Sequence, residues 1–313
     1  ERLPVLFVVQ NNGYAISVPV SEQTPGGKIS QATSGFTGLL IEEFDGTDVQ
    51  ESYESFDRLI RFCRERKGPA LAHAQAFLAT GNLNDARHSH AAARMQDGRV
   101  LLVGGYGGAF GCCTPLAGAE IYDPATGTFT RTGYMAQARV NPLAVALSSG
   151  KVLVMGGMGP TPDGFAVLTS AELYDPNTET VSQTGDPVSA HLDGTATLLG
   201  DGTVLVAGGS DQFGMLLDSA ETYDPATGTF SPTEPMPEAR WSHAAALLPS
   251  GGVLLAGGCV GACSNRGVRY DPLSRTFSLT GTQITYRQKP TARALPDGRI
   301  LVAGGYDASG EIY

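Results

Sequence analysis

The chain is predicted to be mostly β, built from about five repeated four-stranded units that follow a small α/β segment. Three observations predict this. A Gly-Gly pair recurs at Gly104, Gly156, Gly208, Gly257 and Gly304, at intervals of 52, 52, 49 and 47 residues. Tyr-Asp-Pro recurs at Tyr122, Tyr174, Tyr223 and Tyr270, and the sequence ends on Tyr313, where a fifth would begin. Residues 1–75 carry no Tyr-Asp-Pro, and their Gly26-Gly27 falls outside this spacing; they alternate instead between apolar runs and one helical pattern.

Within 1–75, Leu3 to Val9 is a continuous apolar run that suits a strand buried on both faces. Leu39 to Phe44 and Pro69 to Ala74 are the next two strands, in an expected βαβαβ order. The strongest helix signal lies between them. Asp48 and Glu51 make a capping-box start, and Val49, Tyr53, Phe56, Leu59, Ile60 and Cys63 fall on one face. Arg64, Arg66 and Lys67 sit at the negative end of the helix dipole before Gly68-Pro69 stops it.

From residue 76 onward, each unit carries an apolar Val-Leu-Val-type run just before its Gly pair. In the first unit the β segments are expected near His90–Met95, Arg99–Gly105, Ala119–Asp123 and Thr128–Thr132. Asp97-Gly98, Asp201-Gly202 and Asp297-Gly298 suit tight turns between first and second strands. A period near 50 with four short β segments marks the blades of a β-propeller. With Glu-x-Tyr-Asp-Pro, Thr-Gly-Thr-Phe and Thr-Gly-x-Met-x-x-Ala-Arg, the units resemble kelch repeats. The resemblance covers residues 77–313. It implies a propeller that serves mostly as a binding platform and occasionally as an enzyme scaffold.

Composition narrows the function classes. Gly makes up 41 of 313 residues, charged residues only 17 %, and the net charge is −10. So acidic a chain lacks the surface that releases counterions on nucleic acid, and an anionic membrane repels it. The uncharged stretch Val100 to Ala119 holds six Gly and a Pro, which reads as strand plus loop rather than a membrane span. The sequence opens on Glu1 with no basic-then-apolar leader, so a fragment or processed chain is expected, and localisation stays open.

Repetition separates scaffold from site. Seventeen residues before each Gly pair stand Arg87, Arg139, His191, Arg240 and Arg287. Two residues before the repeated Tyr stand Glu120, Glu172, Glu221 and Glu311, with Val268 in the fourth unit. One reading is a satisfied blade-to-blade Arg–Glu pair in each unit. The other is a cationic ring at one mouth of the propeller that attracts an anionic ligand. His90 and His243 share a repeat position held elsewhere by Pro142, Gly194 and Pro290. No His or Cys cluster of metal-ligand spacing appears, and the His/Tyr/Cys set of copper-radical oxidases cannot be assembled. Cys259 and Cys263 suit either a local disulfide or loop thiols, and Cys112-Cys113 occupy another loop.

A second resemblance lies in Leu3-Pro-Val-Leu-Phe-Val-Val-Gln-Asn-Asn-Gly-Tyr-Ala-Ile-Ser17, with Phe44-Asp-Gly-Thr-Asp48 and Gly68-Pro-Ala-Leu71. It is similar to the thiamine diphosphate-dependent first component of the 2-oxo acid dehydrogenase complexes. The resemblance implies Mg²⁺ held by an Asp of a Gly-Asp-Gly motif, by the second Asn and by a nearby carbonyl, here Asn12 and Tyr14. Mg²⁺ demands an octahedral oxygen shell. Only ten residues precede Asn11 and the Gly-Asp-Gly is not among them. No bound cofactor is therefore expected for this chain.

Two functions from different classes follow. The first is a binding module for a protein or small molecule, with non-repeated loops as its contact surface and Phe110, Phe165 and Phe213 at comparable places in them. The second is a fragment of a 2-oxo acid dehydrogenase, acting on pyruvate or a branched-chain substrate with lipoamide as acceptor. The spacing also predicts how the propeller closes. Residues 77–81 match a fourth strand without its unit, and Pro290–Tyr313 supplies three strands without a fourth. Pairing of Ala76–Ala79 with Glu311–Tyr313 is expected to close a five-bladed ring, the alternative being an open arc.

Overall fold

The computed structural model describes residues 6–11, 14–15, 18–19, 40–45, 49–65, 70–75, 80–108, 114–260, 262–263, 265–282, 286–305 and 310–313. The chain divides into two compact units, Glu1–Thr80 and Gly81–Tyr313.

In the first unit, Leu6–Asn11, Leu40–Asp45 and Ala70–Gln75 form a parallel sheet with Ala70–Gln75 in the middle. The helix Val49–Arg64 starts one residue after Asp48, as the capping signal predicts, and packs on the sheet through contacts with all three strands. Leu59 is fully buried, whereas Tyr53 is 46 % exposed. The apolar stripe is therefore narrower than the six-residue face read from the sequence. The first helix of the expected βαβαβ order, between Val18–Pro19 and Leu40, lies outside the described residues.

The second unit is mostly β. Four antiparallel four-stranded sheets follow in chain order, one per repeat, their strands paired consecutively. The first holds Ala91–Arg94, Val100–Val103, Gly118–Asp123 and Thr128–Tyr134. The fifth sheet has three strands, Thr291–Ala294, Ile300–Ala303 and Gly310–Ile312. Gly81 N–H donates to Gly127 O at 2.7 Å, as Gly185 N–H donates to Gly228 O at 2.9 Å. Residues 81–87 thus enter the first repeat just as a linker arriving from a preceding fourth strand enters the third. Ala76–Ala79, on which the expected ring closure turns, lies outside the described residues.

The continuous apolar second strands follow from burial on both faces. Along a strand, side chains alternate between faces. Val152 and Val154 pack with Leu101, Val103 and Ile121 of the first repeat. Leu153 and Met155, one residue out of phase, pack with Val204 and Val206 of the third. Leu205 and Ala207 continue to Val253 and Leu255, and Leu254 and Ala256 to Ile300 and Val302. Each first strand also packs on the next one along.

Tyr-Asp-Pro serves the same stacking. Tyr174 Oη lies 2.6 Å from Thr132 Oγ1 of the preceding repeat, and Tyr223 Oη 2.7 Å from Thr184 Oγ1. The Asp accepts the N–H two residues on, at 2.8 Å for Asp123 and 2.9 Å for Asp224. This turns the chain into the fourth strand. Across that hairpin the Tyr meets a Phe, with ring centroids 4.7–4.8 Å apart in three repeats.

Candidate functional site

The fixed interval of seventeen residues has a direct cause. Arg87, Arg139, Arg240 and Arg287 each donate through Nη1 to the carbonyl of the first Gly of their own repeat, at 2.8–3.2 Å. His191 Nδ1 meets Gly208 O at 2.6 Å in the same role. Their other face meets the repeated Glu: Arg87–Glu120, Arg139–Glu172 and His191–Glu221 at 2.8 Å, and Arg287–Glu311 at 3.1 Å. All five side chains are fully buried. None is presented to a ligand arriving from solvent, so their geometry is that of internal ties. The pairs form within one repeat, not between blades. The link between neighbours runs through the second carboxylate oxygen, where Glu172 accepts from Ala136 N–H at 2.7 Å and Glu221 from Val188 N–H at 2.9 Å.

The fourth repeat has Val268 where the Glu should stand, and Val268 is fully buried. Arg240 turns instead to Glu238, 3.3 Å away. Glu238 was not anticipated, yet its signal is in the sequence: the one repeat lacking the strand Glu carries a Glu two residues before its Arg.

Glu120 and Glu221 are both held below the ordinary glutamate value of 4.5. Burial pushes each carboxyl up. The hydrogen bonds outweigh it, from Asn84, Asp85 and Arg87 on Glu120 and from His191, Val188 and Ser189 on Glu221. A carboxyl whose pKa is depressed on folding contributes stability above its unfolded value and loses it as pH falls through the folded one. The repeat unit is therefore expected to lose thermal stability progressively below pH 4.5. Glu221→Gln should flatten that acid limb in unfolding scans at a series of pH values. An acid limb unaltered in Glu221→Gln would remove Glu221 from this account.

A second repeated feature lies two residues after each Arg or His. Ser89, Asn141, Asp193, Ser242 and Lys289 all adopt left-handed backbone, with φ between 50° and 56°. Asn and Asp tolerate this conformation, whereas Ser and Lys each forgo about 1 kcal/mol or more. Backbone bonds step from one such residue to the next repeat: Asn141 N–H to Ser89 O, Ser242 N–H to Asp193 O, and Lys289 N–H to Ser242 O, each 2.8–2.9 Å. The backbone is repeated here but the side chains are not. This segment and the residue after it bring all five repeats to the rim of one cavity of about 270 Å³, where the first strands begin.

Among the described residues, three that line this cavity each carry a polar atom closed off from water and without a hydrogen-bond partner: His90 Nδ1, Ser242 Oγ and His243 Nδ1. Ser242 is 5 % exposed and His243 6 %. His243 Nε2 lies 2.9 Å from Thr195 Oγ1. Burial, with the Arg240 charge nearby, pushes His243 down to about 3, and burial with Arg87 lowers His90. Both rings are thus neutral at neutral pH. A larger groove of about 500 Å³ lies beside Arg139 and Glu172, where Ser170 Oγ donates to Gln137 Oε1, Gln137 Nε2 to Pro160 O and Ala136 N–H to Glu172.

Phe165 is 46 % exposed and lies against the Tyr106 ring of the first repeat, centroids 6.4 Å apart. Phe213 is 78 % exposed beside Met215, on a loop whose turn Asp211 fastens. Phe110, Asn12, Cys112 and Cys113 lie outside the described residues. Tyr14 belongs to the short strand Tyr14–Ala15, paired with Val18–Pro19. Cys259 is disulfide-bonded and stands opposite Cys263 in a two-stranded hairpin. Among the described residues no three His, Cys, Asp or Glu come together to hold a metal.

This is a kelch-like fold carrying kelch motifs, preceded by a stretch of a dehydrogenase E1 component. The kelch motif model matches residues 87–136 and 193–237, and the dehydrogenase E1 component model residues 1–85. Among solved structures, YjhT superposes with a TM-score of 0.60 at 15 % identity, over 72 % of this chain and 79 % of that one. A fungal alcohol oxidase of the AA5 family, in complex with copper, superposes at 0.50 and 16 % identity, over 74 % and 62 %. The first segment is 35 % identical to the alpha subunit of acetoin:2,6-dichlorophenolindophenol oxidoreductase from Cupriavidus necator, over 28 % of this chain and 29 % of that protein. It is 31 % identical to the pyruvate dehydrogenase E1 component subunit alpha of Rhizobium meliloti, over 26 % and 23 %. The chain spans about a quarter of the length of these curated relatives.

Proposed function

We propose that this chain is a binding module, a kelch-type propeller of about five blades whose ligand site is the cavity at the start of the inner strands. The observation that carries this reading is the contrast between repeated backbone and unrepeated side chains at that one place. A scaffold position needs the same residue in every blade, whereas a recognition position needs different chemistry around its ligand. The exposed Phe213 and Met215 support a further contact for a larger partner. The acidic net charge argues against nucleic acid and anionic membrane as partners. No helix among the described residues is long and apolar enough to cross a membrane.

The binding reading is tested by a thermal-shift panel on the full chain, covering neutral sugars, carboxylic acids, amino acids and short peptides. At least one class should stabilise the protein and cease to do so in Asp193→Ala. Stabilisation by no class, or stabilisation indifferent to Asp193, would refute it.

The E1 family uses thiamine diphosphate, which supplies carbanion chemistry when bound. The donors that residues 1–75 offer for its Mg²⁺ are Asn12 and the Tyr14 carbonyl; the Gly-Asp-Gly present, Gly200-Asp201-Gly202, is a turn of the third repeat, and the described residues add no metal-binding cluster. That set falls short of the oxygen shell Mg²⁺ requires. We expect calorimetric titration with thiamine diphosphate and Mg²⁺ to give no saturable heat at micromolar concentrations. Micromolar, Mg²⁺-dependent binding that Asn12→Ala abolishes would restore the dehydrogenase reading.

A further inference from the structure

We propose that the loop after the third Gly pair docks a cationic, amphipathic segment of a partner protein, with Phe213 and Met215 as its apolar contacts and nearby carboxylates as its charge complement. The inference rests on the binding-module reading and names a protein partner for this loop rather than a ligand for the cavity. It begins with charge. Between Lys151 and Arg240 the chain carries thirteen Asp or Glu and no Lys or Arg. Outside that stretch it holds eighteen acidic against 21 basic residues, so the whole negative surplus falls on the second and third repeats. Glu172, Asp175, Glu221 and Glu238 face Arg139, Lys151, His191 and Arg240. The other nine form no ion pair among the described residues. A surface of one sign with so little compensation of its own attracts the opposite charge and speeds its arrival.

The apolar contacts stand within this acidic stretch. Ser210 and Leu216 bridge, and residues 211–215 turn between them. Asp211 builds the turn. Its Oδ1 accepts the N–H groups of Phe213 and Met215 at 2.8 and 2.9 Å, and its carbonyl accepts Gly214 N–H at 3.1 Å. Its own N–H donates to Met215 O at 3.0 Å. The tip is thus fixed by backbone and by Asp211, without help from its two largest side chains, which stand 78 % and 65 % exposed. A rigid turn that holds out an aromatic ring and a pliant thioether loses little freedom when a partner covers them. Asp211 and Asp218 lie on the loop itself. Asp186 and Glu234 stand on the two linkers bonded to it, one through the Leu192–Ser210 bridge and one through Met236 N–H to Asp218 O at 2.7 Å. Apolar side chains set among carboxylates select a segment that carries Lys or Arg beside its own apolar face. The same charge turns away an anionic membrane and a second copy of this chain.

The full chain is titrated with a labelled helical peptide of Lys and Leu, with its Glu/Leu and Lys/Ser counterparts, and with vesicles of phosphatidylcholine alone or mixed with phosphatidylglycerol. Saturable binding of the Lys/Leu peptide is expected, weakening as salt rises. The double variant Phe213→Ala, Met215→Ala should weaken it about tenfold or more, and Asp218→Asn about twofold. Unfolding midpoints should match that of the parent, because the two apolar side chains are exposed and the tip is held without them. Equal binding of the Lys/Ser peptide, or binding indifferent to Phe213 and Met215, reduces the site to diffuse charge and overturns the proposal. Equal binding of the Glu/Leu peptide removes the charge complement and overturns it as well. Preference for the vesicles assigns the tip to a lipid surface, and a dimer that sedimentation shows to be lost in the double variant assigns it to a second copy. Either result overturns the cationic partner. No binding of any peptide, while a small molecule still stabilises the chain through Asp193, overturns the docking tip and leaves the binding module standing. Failure of peptides and small molecules alike removes both.

Discussion

Arg139→Ala is expected to lower the unfolding free energy of the repeat unit by about 3–5 kcal/mol, the usual cost of leaving one partner of a buried ion pair alone. Arg139 is fully buried and donates to Glu172 and to the carbonyls of Gly156 and Ser170. The loss leaves a carboxylate and two carbonyls without these donors. Arg240→Ala should cost less. Its acidic partner Glu238 stands on the linker with 20 % of its side chain exposed, and Arg266 already holds its other oxygen at 2.9 Å. Denaturant titration of the two variants checks the order. Equal losses would mean that burial of the carboxylate does not set the cost.

Gly208→Ala should be comparably severe, and Gly156→Ala should not. Both are the first Gly of their pair, with φ of 63° and 62°. A Cβ on Gly208 would sit 2.5 Å from the Arg240 carbonyl oxygen, where the next repeat presses against the turn. On Gly156 the nearest atom is 3.9 Å away, and the His191 carbonyl oxygen lies 4.0 Å off. Gly156→Ala is expected to cost only the left-handed strain of about 1–2 kcal/mol. Gly208→Ala adds to this an overpacking penalty of about 1–3 kcal/mol. Equal midpoints for the two would show that conformation, not contact with the next repeat, explains the first Gly.

Much of the fold was legible because repetition inside one chain takes the place of comparison between chains. The Gly pairs, Tyr-Asp-Pro and the Val-Leu-Val runs each mark a contact that every repeat must make, and the sheets appear where these marks stand. The interval of seventeen was visible, but its cause is a guanidinium reaching a carbonyl across the sheet, which no local pattern encodes. Of the two readings of the arginines, the Arg–Glu pair names the right partner but sets it between blades, and the mouth-facing ring misses the burial, since a sequence does not say which side of a strand start is covered. The cavity was hidden for the opposite reason. His90 and His243 were seen to share a repeat position, yet positions about fifty residues apart meet only through the stacking of sheets. The side chains vary there, although the left-handed backbone beside them is the same in every repeat. Glu238 shows the middle case: a local acid and a missing strand acid, each visible, whose connection is made only in three dimensions.

The central claim is that the repeated polar residues hold the scaffold and the unrepeated ones at the cavity do not. The direct measurement is denaturant unfolding followed by Trp241 fluorescence, comparing Glu172→Ala with the double variant Asp193→Asn, Ser242→Ala. Trp241 belongs to the repeat unit alone, so the signal reports that unit. The account predicts a loss of about 3–5 kcal/mol for Glu172→Ala, which strands Arg139 without its carboxylate. For the cavity variant it predicts a stability within about 0.5 kcal/mol of the parent or above it. A cavity variant that unfolds as readily as Glu172→Ala, or a Glu172→Ala as stable as the parent, would contradict it.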